Sequence, residues 1–541
     1  MNRFTFLSFA RHSLIGAGLL LLSSQGVYAQ TAAKKSAEAR LTPAQRAERA
    51  LEAARANPLD LRNFLVRMPK GADLHNHLSG AIYAETWIRD AAEDGLCVDI
   101  ASHSFVRPQT GARSVNPQPD CDEGKVPAAK AFADQHFYDA LIDAFSMRSF
   151  VPSAGVSGHD HFFDSFAKFD GTSLRHSGEW LDEIAARAAS QNEQYLELME
   201  TPDFIRTAQI AKEVGWRDDL GQLRAEFLAH GLRDIIAVAR TARDDAEASR
   251  NAIEHCGTPQ AAPACKITIR YLYQILRGFP REQVFAQTLL GFEVASVDPR
   301  FVGINYVMPE DGRISMADYA LHMKIVGFLH GFYPQVHISL HAGEIAPGLV
   351  APEGLCCHIR LAVEEAHAER IGHGVDVMYE DRPYDLLKEM AAKHVMVEIN
   401  LTSNDVILGV KDKEHPLPIY RKYRVPVALS TDDEGVSRID MTHEYVRAVE
   451  TYGLSYEDLK QMVRTSLEHT FLPGASLWRE PDNFTHLAAT CAMDASSEAR
   501  PFRVNAPSEP STSCATFLKS SEKAQQQWEL ERRFREFEAG F

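Results

Sequence analysis

Gly71-Ala72-Asp73-Leu74-His75-Asn76-His77 is a short β-rich run that ends in two histidines one residue apart. Side chains at i and i+2 of a strand point to the same side, so these two imidazoles can chelate one metal ion. Seven further β-rich runs follow between helical stretches, at 194–201, 266–273, 300–306, 336–341, 370–373, 394–400 and 426–431. Eight such runs alternating with helices predict an α/β protein, a (β/α)8 TIM barrel, here with an N-terminal helical extension and a loop-rich insertion after strand 1.

The chain has 541 residues, more than the roughly 250 of a bare barrel. Residues 1–29 read as a secretory signal peptide: Arg3 and Arg11 precede the apolar run Leu14 to Leu22, and Val27-Tyr28-Ala29 supplies cleavage-site spacing. That run falls short of the ~20 residues that span a bilayer. Its removal leaves 55 Lys and Arg against 74 Asp and Glu, so the charge of −17 becomes −19. Such a charge repels a phosphate backbone and argues against a nucleic-acid binder.

Residues 30–63 form a linker and a helix, opened by Thr42-Pro43-Ala44-Gln45 with a cap, a Pro at the first helical position and a capping-box Gln. The barrel occupies 64–489, with a Pro-, Gly-, Ser- and Asn-rich insertion at about 97–127, and 490–541 is a tail with a terminal helix. Export permits disulfides, and Cys97 with Cys121, Cys256 with Cys265 and Cys491 with Cys514 are the expected local pairs. For the adjacent Cys356 and Cys357, a vicinal bridge and two buried thiols both stay open.

Three later strand candidates also end in reactive residues: His341-Ala342-Gly343-Glu344, Arg370-Ile371-Gly372-His373-Gly374 and Ser430-Thr431-Asp432-Asp433. In a barrel these ends converge on one face, where active sites are built. Three histidines and an aspartate suit Zn²⁺ and leave a position for water. A second triplet, His159-Asp160-His161, precedes Phe162, Phe163, Phe166 and Phe169 at helical spacing. On a helix i and i+2 point about 200° apart, so this pair is expected to cap or face solvent, its aromatics packed inward and its helix bordering the substrate pocket.

Taken together these motifs resemble the adenosine deaminase family of metal-dependent hydrolases, within the amidohydrolase superfamily, and in particular its secreted adenosine deaminase growth factor branch. The similarity covers about residues 60–475, including Met68 to Leu78, Phe301-Val302-Gly303-Ile304-Asn305 and Val397 to Asn404. By position, the resemblance implies one zinc ion per chain on His75, His77, His341 and Asp432, with Glu344 as proton donor to ring N1. It implies that His373 orients and helps deprotonate the metal water, that Asp433 meets purine N7, and that the backbone of Gly303 approaches the purine. The implied reaction converts adenosine, or a closely related 6-aminopurine nucleoside, to inosine or its analogue plus ammonia.

Two departures stand out. Ser79 replaces an aspartate that helps hold the ribose in the family, and Asn305 stands where an aspartate is usual, followed by Tyr306-Val307-Met308 in place of a more glycine-bearing turn. The purine side of the site is therefore expected to be intact and the sugar side altered, which adds 2′-deoxyadenosine, adenine and modified adenosines as candidate substrates. The resemblance also implies a small-molecule purine partner and a homodimer built by the N-terminal helix and insertion, while the charge argues against nucleic acid and the signal peptide predicts a periplasmic or secreted location with no membrane after its removal. Two alternative readings fit the residues less well. Ester, amide or lactam hydrolysis often uses two metals bridged by a carboxylated lysine on the fourth strand, and 301–306 contains no lysine. A non-catalytic nucleoside binder has no need of Glu344, His373 and a complete ligand set.

Overall fold

The computed structural model describes residues 41–108, 121–492 and 510–541. The expected signal at 1–29, and parts of the linker, insertion and tail, lie outside these residues. Eight parallel strands form one sheet: β1 (Gly71–His77), β2 (Glu193–Glu200), β3 (Thr268–Leu276), β4 (Phe301–Val307), β5 (His337–Ala342), β6 (Arg370–His373), β7 (Met396–Ile399) and β8 (Val427–Leu429). Neighbours in the sheet follow chain order, as repeated strand-helix-strand units produce. The ring closes just beyond β8, where Asp432 N–H donates to the His75 carbonyl at 2.8 Å and His77 N–H to the Asp432 carbonyl at 3.2 Å. Three of the expected metal ligands, His75, His77 and Asp432, thus sit on the seam of the barrel.

β1 is buried along its whole length, because helices cover the outside and side chains fill the inside. A small apolar cluster of Met199, Leu272, Val302, Val307 and Phe471 packs together. Beside it Arg370, fully buried, pairs with Glu197 at 2.6 Å and Glu398 at 2.8 Å, its guanidinium 3.8 Å from the Phe471 ring centroid. Removing one partner of such a buried set costs about 3–5 kcal/mol, because the other charge is left unpaired.

The N-terminal helix runs over Pro43–Ala54, held by the expected capping box between Thr42 and Gln45. It ends at Ala54, and Asn57 caps the next helix, Pro58–Arg67. The C-terminal helix Glu522–Ala539 packs back on the barrel's last helix, Tyr456–Glu468, through Arg464–Glu531 at 2.7 Å and Lys460–Glu538 at 2.6 Å. A second small core joins Trp478, Phe484 and Leu487 to the Cys491–Cys514 disulfide.

The insertion holds more than loop. Cys97–Asp99, Ser104–Val106 and Lys125–Pro127 form a three-stranded antiparallel sheet. Strands of three residues are too short to show alternation in the sequence, and this sheet is held by burial of Val98 and Phe105 and by the Cys97–Cys121 disulfide. All three expected disulfides are present, and Cys356 is bonded to Cys357. No described helix is long and apolar enough to cross a membrane.

Candidate active site at the C-terminal face of the barrel

Three histidine rings meet at the C-terminal ends of β1 and β5, and each has an acceptor at Nδ1. His75 Nδ1 lies 2.7 Å from Glu398 Oε2, His77 Nδ1 2.8 Å from Gln274 Oε1, and His341 Nδ1 2.7 Å from Asn305 Oδ1. Each acceptor draws the ring proton to Nδ1, so the Nε2 lone pairs turn inward, the arrangement that outer partners impose on metal-ligating histidines. Among these groups, His77 Nε2 is 3.2 Å from His341 Nε2, and Asp432 Oδ1 is 3.4 Å from His75 Nε2 and 3.3 Å from His77 Nε2. A tetrahedron of ligands at 2.0–2.1 Å from a common centre has edges of about 3.3 Å. All four residues are buried, and His75 Nε2 has no hydrogen-bond partner among the described residues. The donor set fits a tetrahedral cation.

The backbone accommodates this cluster at a cost. Asp432 and His373 adopt φ of 61° and 69°, a left-handed conformation that side chains rarely take and that costs on the order of 1–3 kcal/mol. Gly372 is required for a different reason: a Cβ there would lie 2.6 Å from His75 Cε1. Electrostatics among the protein groups are uneven. Burial opposes a second proton on His75, but Asp432 and Glu398 outweigh it and raise its pKa to about 10, so a cation at Nε2 would take the place of that proton, whereas burial and the neighbouring imidazoles push His341 well below its ordinary value.

Above the cluster opens a cavity of about 450 Å³ whose wall includes His77, Ser79, His341, Glu344, His373, Asp432 and Asp433. Glu344 is aimed by Glu310, which accepts the Gly343 and Glu344 N–H groups at 3.0 and 2.9 Å. Burial alone would raise Glu310, but Arg277 and His358 hold it down at about 2, so it stays a carboxylate. Burial, with the charges of Asp432 and Glu310, lifts Glu344 well above the carboxylate range. Burial thus favours the protonated form of Glu344. Asp433 is likewise raised, by burial first, and its Oδ1 has no partner among the described residues. Gly80 makes room for it, since a Cβ there would fall 1.6 Å from Asp433 Oδ1.

His373 is neutral, its pKa lowered to about 3 by burial. A chain of donors sets its tautomer: Leu417 N–H donates to His415 Nδ1 (3.2 Å), His415 Nε2–H to Asn404 Oδ1 (3.0 Å), and Asn404 Nδ2 to His373 Nδ1 (2.9 Å). The proton of His373 is thereby placed on Nε2, 3.9 Å from Asp432 Oδ2. In this arrangement the ring orients an oxygen by donating to it; acceptance of a water proton, expected from the resemblance, does not follow from it.

The structure brings together His75, His77, His341, Asp432, Glu344, His373, Asp433 and Ser79. It does not bring Gly303. That glycine lies low in β4 and faces the His337 carbonyl and the Phe471 ring, because His337 and Gly303 are paired at the opposite end of the strands from the cavity. The cavity wall there is Met308, with φ 84°. Asn305 keeps the contact to His341 despite lacking a charge. The helix Gly158–Phe169 borders the cavity through Phe162, Phe163 and Phe166, as expected, while His159 and His161 turn elsewhere. Sequence reasoning missed Gln274, Phe279, Asn404 and His415; only the polar Gln274 between Tyr273 and Ile275, near the C-terminal end of its strand, was a signal to be read.

A family profile described as adenosine deaminase matches residues 183–477, a stretch that includes His341, Glu344, His373, Asp432 and Asp433 but not His75 or His77. The adenosine deaminase of Clostridium perfringens is 36% identical over 135 residues, 25% of this chain and 37% of that protein. That of Escherichia coli is 39% identical over 137 residues, 25% of this chain and 38% of that protein. The chain thus aligns with little more than a third of the length of these relatives. Among solved structures, an amidohydrolase from Burkholderia ambifaria with bound Zn superposes with TM-score 0.50 at 17% identity, covering 76% of this chain and 88% of that one. An N6-mAMP deaminase from Arabidopsis gives TM-score 0.49 at 20% identity, over 76% and 96% of the two chains. The first is a likeness of fold.

Proposed function

This chain belongs to the adenosine deaminase family, and from that premise we propose that it hydrolyses the exocyclic amine of adenosine or a close 6-aminopurine relative, releasing ammonia. One observation carries the reading: two buried carboxyls, Glu344 and Asp433, line one cavity beside the His75, His77, His341 and Asp432 cluster, where burial favours the protonated form of each. A 6-aminopurine presents an acceptor on each side of its C6 amine, N1 and N7, which is the pattern two donors recognise. A 6-oxopurine carries a proton on N1 and would meet Glu344 donor to donor, so product is released.

A zinc ion, one per chain, held by His75, His77, His341 and Asp432, would supply the charge that lowers the pKa of a water toward about 7. His373 holds the attacking oxygen through Nε2–H. Glu344 gives its proton to N1 as the oxygen bonds to C6, and Asp433 donates to N7. The C6–N bond then breaks; of the water's two protons one leaves with ammonia and the other restores Glu344. The four disulfides support the further proposal that the chain is exported after loss of residues 1–29.

Ammonia release from adenosine by the zinc-loaded protein tests the reading. Glu344→Gln is expected to lose on the order of 10³-fold in kcat, with zinc content unchanged. Near-native turnover in that variant would remove Glu344 as the proton donor.

A further inference from the structure

Cys356 and Cys357, neighbours in the chain, are bonded to one another in the segment that joins Glu344 to the helix His358–Glu364. Cys357 sits at the start of that helix with φ 87°, a left-handed conformation that a residue with a side chain seldom holds unaided. A bond between neighbouring side chains closes a small ring through their shared peptide, and that ring holds the turn. The next residue, His358, is buried, its ring stacked on Tyr319 with centroids 3.7 Å apart, and its Nδ1 lies 2.5 Å from Glu310 Oε1. Glu310 is the carboxylate that accepts the Gly343 and Glu344 N–H groups. One chain of contacts therefore runs from the bridge through His358 and Glu310 to the backbone of Glu344.

A second contact provides for the opened state. Glu380 Oε1 accepts the N–H groups of Ile359 and Arg360 at 2.7 and 3.2 Å, and so caps the same helix. Glu380 Oε2 is buried with no hydrogen-bond partner among the described residues, and a Glu380 carboxylate oxygen lies within 4.8 Å of both sulfurs. A thiol formed from either cysteine has an acceptor there, so opening the bond would draw the capping carboxylate toward sulfur and free Cys357 to leave its left-handed conformation. Both cysteines are only partly buried, which puts the bond within reach of a small thiolate, whereas Cys491 and Cys514 are fully buried.

We propose that the Cys356–Cys357 bond is a positioning element for Glu344, so that a dithiol reductant switches the deaminase to a slower form and reoxidation restores it. The inference rests on the functional reading above. A thiolate of the dithiol attacks one cysteine sulfur, the S–S bond breaks, and the dithiol's second sulfur resolves the mixed disulfide. The dithiol becomes a cyclic disulfide, and its two electrons and two protons leave Cys356 and Cys357 as thiols. His358 then shifts with the start of its helix, Glu310 follows, and the backbone of Glu344 loses its fixed direction. The three histidines of the metal cluster are held by other partners, Glu398, Gln274 and Asn305, so their arrangement stays. The chain is thus slow in a reducing compartment and fast in an oxidising one.

The test is ammonia release from adenosine by the zinc-loaded full chain, before and after treatment with a small dithiol, with free thiols mapped by mass spectrometry. Opening of the Cys356–Cys357 bond is expected to lower kcat by about tenfold to a hundredfold, the scale of a small misplacement of a reacting group. KM and zinc content should stay unchanged, and reoxidation should restore the rate. Cys356→Ser/Cys357→Ser should start at the lowered kcat and ignore the dithiol, whereas Cys256→Ser/Cys265→Ser should respond as the native chain does. A second readout needs no turnover: the His358 Nδ1 proton resonance is expected to shift when the native chain is reduced. An unchanged kcat with the bond mapped open, a resonance that stays in place, or an equal response in Cys356→Ser/Cys357→Ser overturns the inference and leaves the deaminase reading standing. Ammonia from neither form overturns the functional reading and this inference with it.

Discussion

His75-Asn76-His77 and His159-Asp160-His161 have the same spacing and opposite fates. In β1 the two rings stand side by side, centroids 5.4 Å apart, and both Nε2 atoms approach Asp432 Oδ1. In the helix Gly158–Phe169 the pair diverges. His159 reaches Asp311 at 3.0 Å, while His161 stacks on Phe150 and donates to the carbonyls of Ser146 and Asp143. The lesson is that a ligand motif is a spacing plus a backbone period: two residues along a strand return to one face, and two along a helix do not.

The strongest way to break this comparison is to remove one ring from each triplet. His77→Ala is expected to empty the metal site and lower ammonia release by on the order of 10³-fold or more, read by metal analysis and initial rates; a His161→Ala protein that lost metal as well would end the contrast. Next in size is the outer partner of His77. Gln274→Ala removes the acceptor that sets its tautomer and should weaken metal affinity by about 10–100-fold, measured by competition with a chelator.

His161→Ala should act on stability alone. Loss of a stacked ring and its two carbonyl contacts costs about 1 kcal/mol, a fall of a few degrees in Tm, with metal content unchanged in the same sample. The smallest effect concerns pH. Burial disfavours charge on His159, but the hydrogen bond to Asp311 and that carboxylate's charge outweigh it and raise its pKa above the ordinary 6.5. A histidine raised on folding contributes stability that is full below the unfolded pKa and is lost as pH rises through the folded one. The Tm of His159→Gln should therefore decline less than that of the native chain from pH 6 to 9, and an identical profile would show that the Asp311 contact contributes nothing.

Most of the barrel was legible, and for a local reason. β1 and β6 occupy the expected residues, and the other strands are offset by a few residues at their ends, because β-rich runs and their turn residues lie within one short window of sequence. Gly303 shows the limit. Its strand was placed correctly, but which end of that strand faces the cavity depends on its pairing with His337, thirty-four positions on, and the wall turned out to be Met308. The three-stranded sheet of the insertion was missed because its strands are too short for a periodic signal.

The sequence by itself named the four residues that the fold gathers into a candidate metal site, the strand ends that carry them, the three local disulfides and the reason the second histidine triplet could not chelate. These depend on backbone period and on residues near one another in the chain. Only the tertiary structure decided the proton positions and the shape of the cavity. His75 owes its tautomer to Glu398, 323 residues away; burial beside Glu310 and Asp432 favours the protonated form of Glu344; and the cavity takes Phe162, Phe163 and Phe166 of a helix remote in sequence from β5 and β6 as part of its wall. Desolvation and hydrogen-bond partners belong to the neighbours a residue meets in space, and these are chosen by the fold.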